Sequence, residues 1–233
     1  SARNEPRAFR RWLQRLDRQK AEQIVALRRI ESPSQAPLFV CPGGWGHERE
    51  LLVFASMLQH LPPDLPVYGL KQNFLANSIP VAESVDTIAR NFLATIRNIQ
   101  PKGPYRLLGE CIAGVVVLEL AHQLELAGDP AEKIILLDPR LPRTQPPDTG
   151  TESEHVSEKV RRYYQILTEA TQRPCVRRVH VIGTEETEHM RRRLEQWNIF
   201  DTAQLEIVRV PGDHDSYLRQ HGEELAREIA LAI

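Results

Sequence analysis

Residues 105–117 read YRLLGECIAGVVV, and the reading of this stretch decides the fold. A β-forming run, Tyr105 to Leu108, leads straight into Gly109-Glu110-Cys111-Ile112-Ala113-Gly114, and a helical pattern follows. A G-x-C-x-A-G run between strand and helix is a nucleophile elbow with cysteine at its centre. The spacing has a steric reason. The nucleophile sits on a sharp, strained turn, and Gly109, Ala113 and Gly114 leave room for neighbouring backbone. The side chain is pushed out at the carboxyl end of the strand. There the free N–H groups and dipole of the following helix favour a thiolate and an oxyanion. The plain alternative is a buried cysteine in a tight turn. The position between a buried strand and a long helix favours the elbow.

Outward from this centre the pattern alternates. Apolar, β-rich runs occupy residues 36–41, 67–70, 105–108, 133–137, 178–182 and 205–210, with a further edge strand expected over 24–28. Between them, Leu51, Leu52, Ala55, Leu58 and Leu61 share a helical face, as do Ile88, Phe92, Ile96 and Ile99 behind a Ser84 N-cap. A helix over 112–127 should stop at Gly128, and a last helix should fill 216–233. Strands alternating with helices of this length predict βαβ units: an α/β fold whose mostly parallel central sheet carries helices on both faces. The near-continuous apolar character of the strands fits burial on both sides. Residues 141–153 (LPRTQPPDTGTES) break the rhythm as loop, and 153–170 reads as an isolated helix. This insertion, about 140–176, is expected to be a short lid.

The chain has 233 residues, with 30 basic and 31 acidic side chains and a net charge of −1. That balance shows no basic excess for nucleic acid, and no apolar run has the length of a bilayer span. Three scattered cysteines, Cys41, Cys111 and Cys175, make no disulfide framework and fit a reducing cytoplasm. The first twenty residues differ from the rest, with seven basic and two acidic side chains and a stripe of Phe9, Trp12, Leu13 and Leu16. Residues 1–23 are therefore expected to be a basic linker or helix, and 24–233 the folded domain.

A cysteine nucleophile needs a base, and the base an orienting acid. Asp138 ends the buried run KIILLD, at the carboxyl end of a strand, and is the best acid. His214 follows the run VRVPGD on a loop before the last helix and is the best base. Asp213 and Asp215 flank it but point apart from it. For the oxyanion, one N–H should come from Ile112 and the other from the loop after the first central strand, which reads Phe39-Val40-Cys41-Pro42-Gly43-Gly44-Trp45-Gly46. No Gly-Lys-Ser/Thr ends that loop, which disfavours a phosphate cradle. No ligand-pair spacing among cysteines and histidines indicates a metal, and no cofactor is expected.

The ordered set PLFVCPGGWG, LPVYGL, SVDTIARNFLATIRNIQPKGPYRLLGECIAG, IILLDPRLP and RVPGDHDSYL resembles the thioesterase domains of nonribosomal peptide synthetases and polyketide synthases, within the α/β-hydrolase superfamily. The likeness covers about residues 24–233. It implies Cys111 as nucleophile, Asp138 as acid, His214 as base, and Gly43 or Gly44 with Ile112 as the oxyanion hole. It implies a lid after Asp138 over an acyl chamber. It further implies an acyl or peptidyl substrate delivered on the phosphopantetheine arm of a carrier domain, expected in the same polypeptide. The chain departs from the family in three ways: Cys where Ser is usual, Asp215 after the histidine, and one clear lid helix. A cysteine exchanges one thioester for another, so the acyl group stays activated toward water, an amine or a hydroxyl. Two other readings are a stand-alone cysteine hydrolase of small esters or lactones, and a non-catalytic hydrolase-fold binding module.

Overall fold

The computed structural model of the chain describes residues 23–44, 50–72, 81–140, 154–170, 178–195 and 204–233. The strands are β1 (Ile24–Arg28), β2 (Leu38–Cys41), β3 (Val67–Leu70), β4 (Tyr105–Glu110), β5 (Ala131–Leu137), β6 (Val179–Gly183) and β7 (Leu205–Arg209). The helices are α1 (Ala55–His60), α2 (Val85–Ile99), α3 (Gly114–Leu126), α4 (Glu154–Thr168), α5 (Thr187–Glu195), α6 (Tyr217–Gln220) and α7 (Gly222–Ala232).

The strands form one sheet in the order β1-β3-β2-β4-β5-β6-β7. Edge strand β1 runs antiparallel to β3, pairing Ile24 with Leu70, and the other pairings are parallel. Alternate residues of the inner strands feed two cores. Leu38, Val40, Leu108, Ile135, Leu137 and Ile182 face α1, α6 and α7. Phe39, Leu107, Ile134, Leu136 and Val181 face α2, α3 and side chains of α4 and α5. The chain leaves β2 for β3 on one side and then returns to β4 on the other. That reversal opens a crevice at the carboxyl ends of β2 and β4, where such sheets bind ligands. Cys41 pairs with Gly109 at this place.

Local signals held where they had a physical basis. The Ser84 side chain accepts the Thr87 N–H at 3.2 Å and caps α2. Gly128 takes φ 72 after α3, where the Asp129 N–H returns to Leu124 O at 3.1 Å. The elements differ from expectation in four places, one being that the helical face expected over Leu51–Leu61 begins as a 3-10 turn, Glu50–Phe54, with Leu52 exposed. The helix expected from 112 is a 3-10 turn, Cys111–Ala113, before α3. The last helix is broken at His221; at the next residue α7 meets α1 so closely that a Cβ on Gly222 would stand 2.3 Å from Ser56 Oγ and 2.9 Å from Met57 N. Helix α5 was not expected at all. Its sequence TEHMRRRLE offers only Met190 and Leu194 to the core, with polar residues elsewhere. Of the expected basic segment 1–23, all but Gln23 lies outside the described residues, and so do 141–153, 171–177 and Cys175 of the expected lid region.

Candidate active site

Strand β4 runs two residues further than its apolar signal, through Gly109 and Glu110, and delivers Cys111 at the sheet's carboxyl edge. Cys111 has φ 52, a left-handed conformation that costs a side-chain-bearing residue about 1–3 kcal/mol. The turn is tight enough that a Cβ on Gly109 would come within 2.9 Å of Val117 Cγ2 and 3.1 Å of Ala113 O. The small residues of the elbow therefore do what their spacing suggests: they let α3 close against the strand.

The next strand ends on Asp138, whose carboxylate is fully buried. One oxygen, Oδ2, meets His214 Nδ1 at 2.6 Å and Arg140 Nη2 at 3.1 Å. The other, Oδ1, accepts the Thr184 N–H at 3.0 Å and the Thr184 hydroxyl at 3.2 Å. Arg193 Nη2 adds an ion pair at 3.9 Å. Burial alone would raise this carboxyl. The hydrogen bonds from His214 and Thr184 and the Arg140 charge outweigh it and hold the group well below the usual carboxylate range. An ionised Asp138 fixes the proton of His214 on Nδ1, so Nε2 remains for proton traffic.

His214 is held by its own turn. Gly212 adopts φ 93, and Asp213 Oδ1 accepts the Asp215 N–H at 3.1 Å, the Ser216 N–H at 2.9 Å and the Ser216 hydroxyl at 2.6 Å. The Tyr217 ring stacks on the imidazole with centroids 6.3 Å apart. Asp213 thus shapes the loop and does not touch the imidazole, and Asp138, 76 residues away, does.

Three donors converge at the mouth of the crevice. A Cys111 sulfur, a His214 ring nitrogen and a Glu110 oxygen lie within 4.8 Å of one another. Burial pushes the Cys111 thiol up to about 12; to the extent that Glu110 is ionised its charge adds to this, and the Ile112 N–H and Arg140 only partly oppose it. The sequence suggested a thiolate favoured by the helix end. The structure corrects this: the helix N–H is present, but desolvation and a neighbouring carboxyl win, and the resting group is a thiol. The same three donors are spaced closely enough to hold a metal ion, a grouping invisible in sequence because it joins the ends of β4 and the loop after β7.

The residues expected to hold an oxyanion occupy different positions. The Ile112 N–H hydrogen-bonds Cys111. Gly43 lies directly against the elbow, since a Cβ there would be 2.6 Å from Cys111 Cβ. Its N–H, however, donates to Glu110 Oε2 at 2.6 Å. Gly44 sits beside Glu50, whose Oε2 would be 2.6 Å from an added Cβ. Sequence reasoning passed over Glu110, Thr184, Arg140 and Arg193. Glu110 carried a signal, a charge at the last position of a buried apolar strand. Thr184 and Arg193 carried none, because their importance arises only from the approach of β6 and α5 to Asp138; Arg140 stands two residues beyond Asp138, and its role depends on its side chain folding back onto that carboxylate.

Comparison with known proteins identifies the lineage of this arrangement. A family profile described as "Thioesterase domain" matches residues 36–170. The chain belongs to the thioesterase domain family. Among curated relatives, a non-reducing polyketide synthase of Cladonia grayi, PKS16, is 37% identical over 128 residues, 55% of this chain and 6% of that protein. A probable non-canonical nonribosomal peptide synthetase of Salinispora arenicola, CymA, is 39% identical over 85 residues, 36% of this chain and 1% of that protein. The thioesterase chain thus spans only a small fraction of these synthases. Its α/β-hydrolase fold is shared with the NocB thioesterase domain in covalent complex with a fluorophosphonate nocardicin G analogue: TM-score 0.71, 24% identity, covering 90% of this chain and 98% of that one. It is shared also with the Vlm2 thioesterase domain bound with a dodecadepsipeptide, TM-score 0.63, 19% identity, covering 88% of this chain and 95% of that one. Among the described residues, no helix is long and apolar enough to cross a membrane.

Proposed function

We propose that this thioesterase domain releases an acyl or peptidyl chain from the phosphopantetheine arm of a carrier domain, through an acyl-enzyme on Cys111. The observation that carries the reading is geometric. A cysteine strained to φ 52 at the carboxyl edge of a parallel sheet lies within 4.8 Å of a ring nitrogen of His214, whose Nδ1 meets a buried aspartate at 2.6 Å. The large synthases among its relatives support a carrier partner, because chain release from a synthase begins with a carrier-bound thioester.

The chemistry follows from the electrostatics. Because the thiol rests protonated, it is not a preformed ion pair with His214. His214 takes the thiol proton at Nε2 as sulfur attacks the thioester carbonyl, and Asp138 stabilises the imidazolium. The carbonyl electron pair moves onto oxygen. The tetrahedral adduct collapses by breaking the bond to the pantetheine sulfur, which leaves with the histidine proton. A thioester has been exchanged for a thioester, so the acyl group keeps its activation. Water, or an amine or hydroxyl of the chain itself, then completes release with His214 as base. The test is release from a carrier loaded with an acyl thioester. Wild type should discharge the carrier, and Cys111→Ala should leave it loaded. Cys111→Ser should favour free acid over amide or ester products. Discharge by Cys111→Ala at the wild-type rate would sink the reading.

A further inference from the structure

Among the described residues, one group of three histidine, cysteine or carboxylate side chains converges closely enough to share an ion, and it is Glu110, Cys111 and His214. A sulfur, a ring nitrogen and a carboxylate oxygen offer one donor each, all within 4.8 Å of one another. Zn²⁺ bonds sulfur at about 2.3 Å and nitrogen or oxygen at about 2.0–2.2 Å, so its tetrahedral ligands stand about 3.3–3.6 Å apart. Closing the group on one ion therefore needs shifts of about 1 Å per donor, within the reach of side-chain rotation. The proposed reaction uses the sulfur and the imidazole and gives Glu110 no part.

We infer that Cys111, His214 and Glu110 form an inhibitory site for a borderline-soft divalent cation, Zn²⁺, held by the sulfur, the imidazole Nε2 and a Glu110 oxygen, with water in the fourth position. The donor set selects the class of ion. Mg²⁺ and Ca²⁺ take oxygen ligands, whereas a thiolate with an imidazole suits zinc. The contacts behind the donors are those of a metal centre. His214 Nδ1 meets Asp138 Oδ2 at 2.6 Å, which fixes the tautomer and leaves the Nε2 lone pair for the ion. Glu110 Oε2 accepts the Gly43 N–H at 2.6 Å, which orients the carboxyl. Cys111 is held at φ 52 by the elbow.

Charge agrees with this assignment. Glu110 is 9% exposed, and none of the described ion pairs brings an arginine or lysine onto it; the nearby Arg140 is bound to Asp138 through Nη2. Zn²⁺ with one thiolate, one carboxylate and a neutral imidazole leaves no net charge in the crevice, which a buried site requires. As the ion binds, a sulfur–zinc bond replaces the sulfur–hydrogen bond. The thiol proton, with any proton on Glu110, passes to solvent, and nothing is oxidised or reduced. Inhibition rests on the proposed acylation of Cys111, because the ion takes the sulfur and Nε2 lone pairs which that step needs. A hydroxyl in place of the thiol is a far poorer ligand, so the site belongs to the cysteine form of the elbow.

The test titrates the intact chain, wild type and the Cys111→Ser, Glu110→Gln and Asp138→Asn variants, with buffered ZnCl₂ by calorimetry and with CoCl₂ by absorption. Wild type should bind one ion, and cobalt should give a sulfur-to-metal charge-transfer band. Cys111→Ser keeps Cys41 and Cys175 and should lose that band, which separates the site from chance binding to other thiols. Asp138→Asn, which removes only the group behind the imidazole, should weaken zinc by about 10–100-fold. Glu110→Gln keeps a carbonyl for the Gly43 N–H and removes a ligand, so it should weaken zinc by at least about tenfold. Zinc should block acylation of wild type by an acyl-pantetheine thioester, and a chelator should restore it. No cobalt–sulfur band in wild type, equal zinc affinity in wild type and Cys111→Ser, or undiminished affinity in Glu110→Gln each overturns the site. Acylation at full rate by the zinc-loaded protein overturns the inhibition. A wild type that binds zinc through Cys111 but never acylates breaks the proposed function and leaves the metal site standing; one that acylates and binds no zinc does the reverse.

Discussion

Strands β4 and β5 lie side by side, with Glu110 registered opposite Leu137, and each ends its run in a buried acid. The two ends teach opposite lessons. Asp138, one residue beyond β5, is met by Thr184, His214, Arg140 and Arg193, and is held as an anion. Glu110, on β4, has the Gly43 N–H for its hydrogen bond and is pushed toward its neutral form by burial. Two carboxyls of one site are thus driven apart by what surrounds them, and their environments assign the roles: Asp138 orients a histidine, Glu110 faces the reacting sulfur.

The largest expected effect comes from erasing the charge at the β5 end. Asp138→Asn should lower the rate of carrier discharge by about 10³–10⁴, because His214 then loses the partner that fixes its tautomer. A fall of less than tenfold would mean that Asp138 does not orient the base, and would leave the contrast between the strands without functional content.

Stability should separate the two acids by sign. Asp138 has a depressed folded-state pKa, so its contribution is present above the ordinary carboxylate range and is lost only as pH falls toward its own low value. At neutral pH, Asp138→Asn should therefore destabilise the fold, by about 1–3 kcal/mol for a buried charged hydrogen-bond acceptor. Glu110 has a raised folded-state pKa, so the unfolded chain releases that proton first. Its stability is fully present below the ordinary Glu range and declines as pH rises toward the folded value. Glu110→Gln should therefore gain on wild type as pH increases and match it most closely near pH 4. Urea denaturation of both variants across pH reads this directly; curves that move in the same direction would break the comparison.

A smaller effect belongs to Arg140, which pairs with Asp138 from a partly exposed position. Arg140→Ala should cost at most about 1 kcal/mol of transition-state stabilisation, under about tenfold in rate, because solvent screens the pair and Thr184 still holds the carboxylate. A loss as deep as that of Asp138→Asn would show that the arginine, not threonine, sets the charge at this end.

The contrast between the strand ends also marks what sequence could and could not show. The β-runs were legible because strands buried on both faces must be apolar throughout, and the elbow because its turn demands small residues around Cys111. Cys111, Asp138 and His214 could be chosen from strand ends alone, and the structure brings them together. Helix α5 was not legible, since Met190 and Leu194 in nine otherwise polar positions make too narrow a stripe. The break at His221 has no counterpart in the apolar pattern, and the close meeting of Gly222 with α1 beside it is a tertiary fact. The thiolate expectation failed for a related reason: a helix end is a local feature, but desolvation and the approach of Glu110 are set by the whole crevice.

The most direct measurement is to incubate the intact chain with an acyl-pantetheine thioester, quench it, and map the acyl group by peptide mass spectrometry. The account predicts one acyl group, on the peptide carrying Cys111, absent in Cys111→Ala and slowed in His214→Ala. An acyl group on any other residue, or none on a wild-type protein that still discharges its carrier, would contradict it.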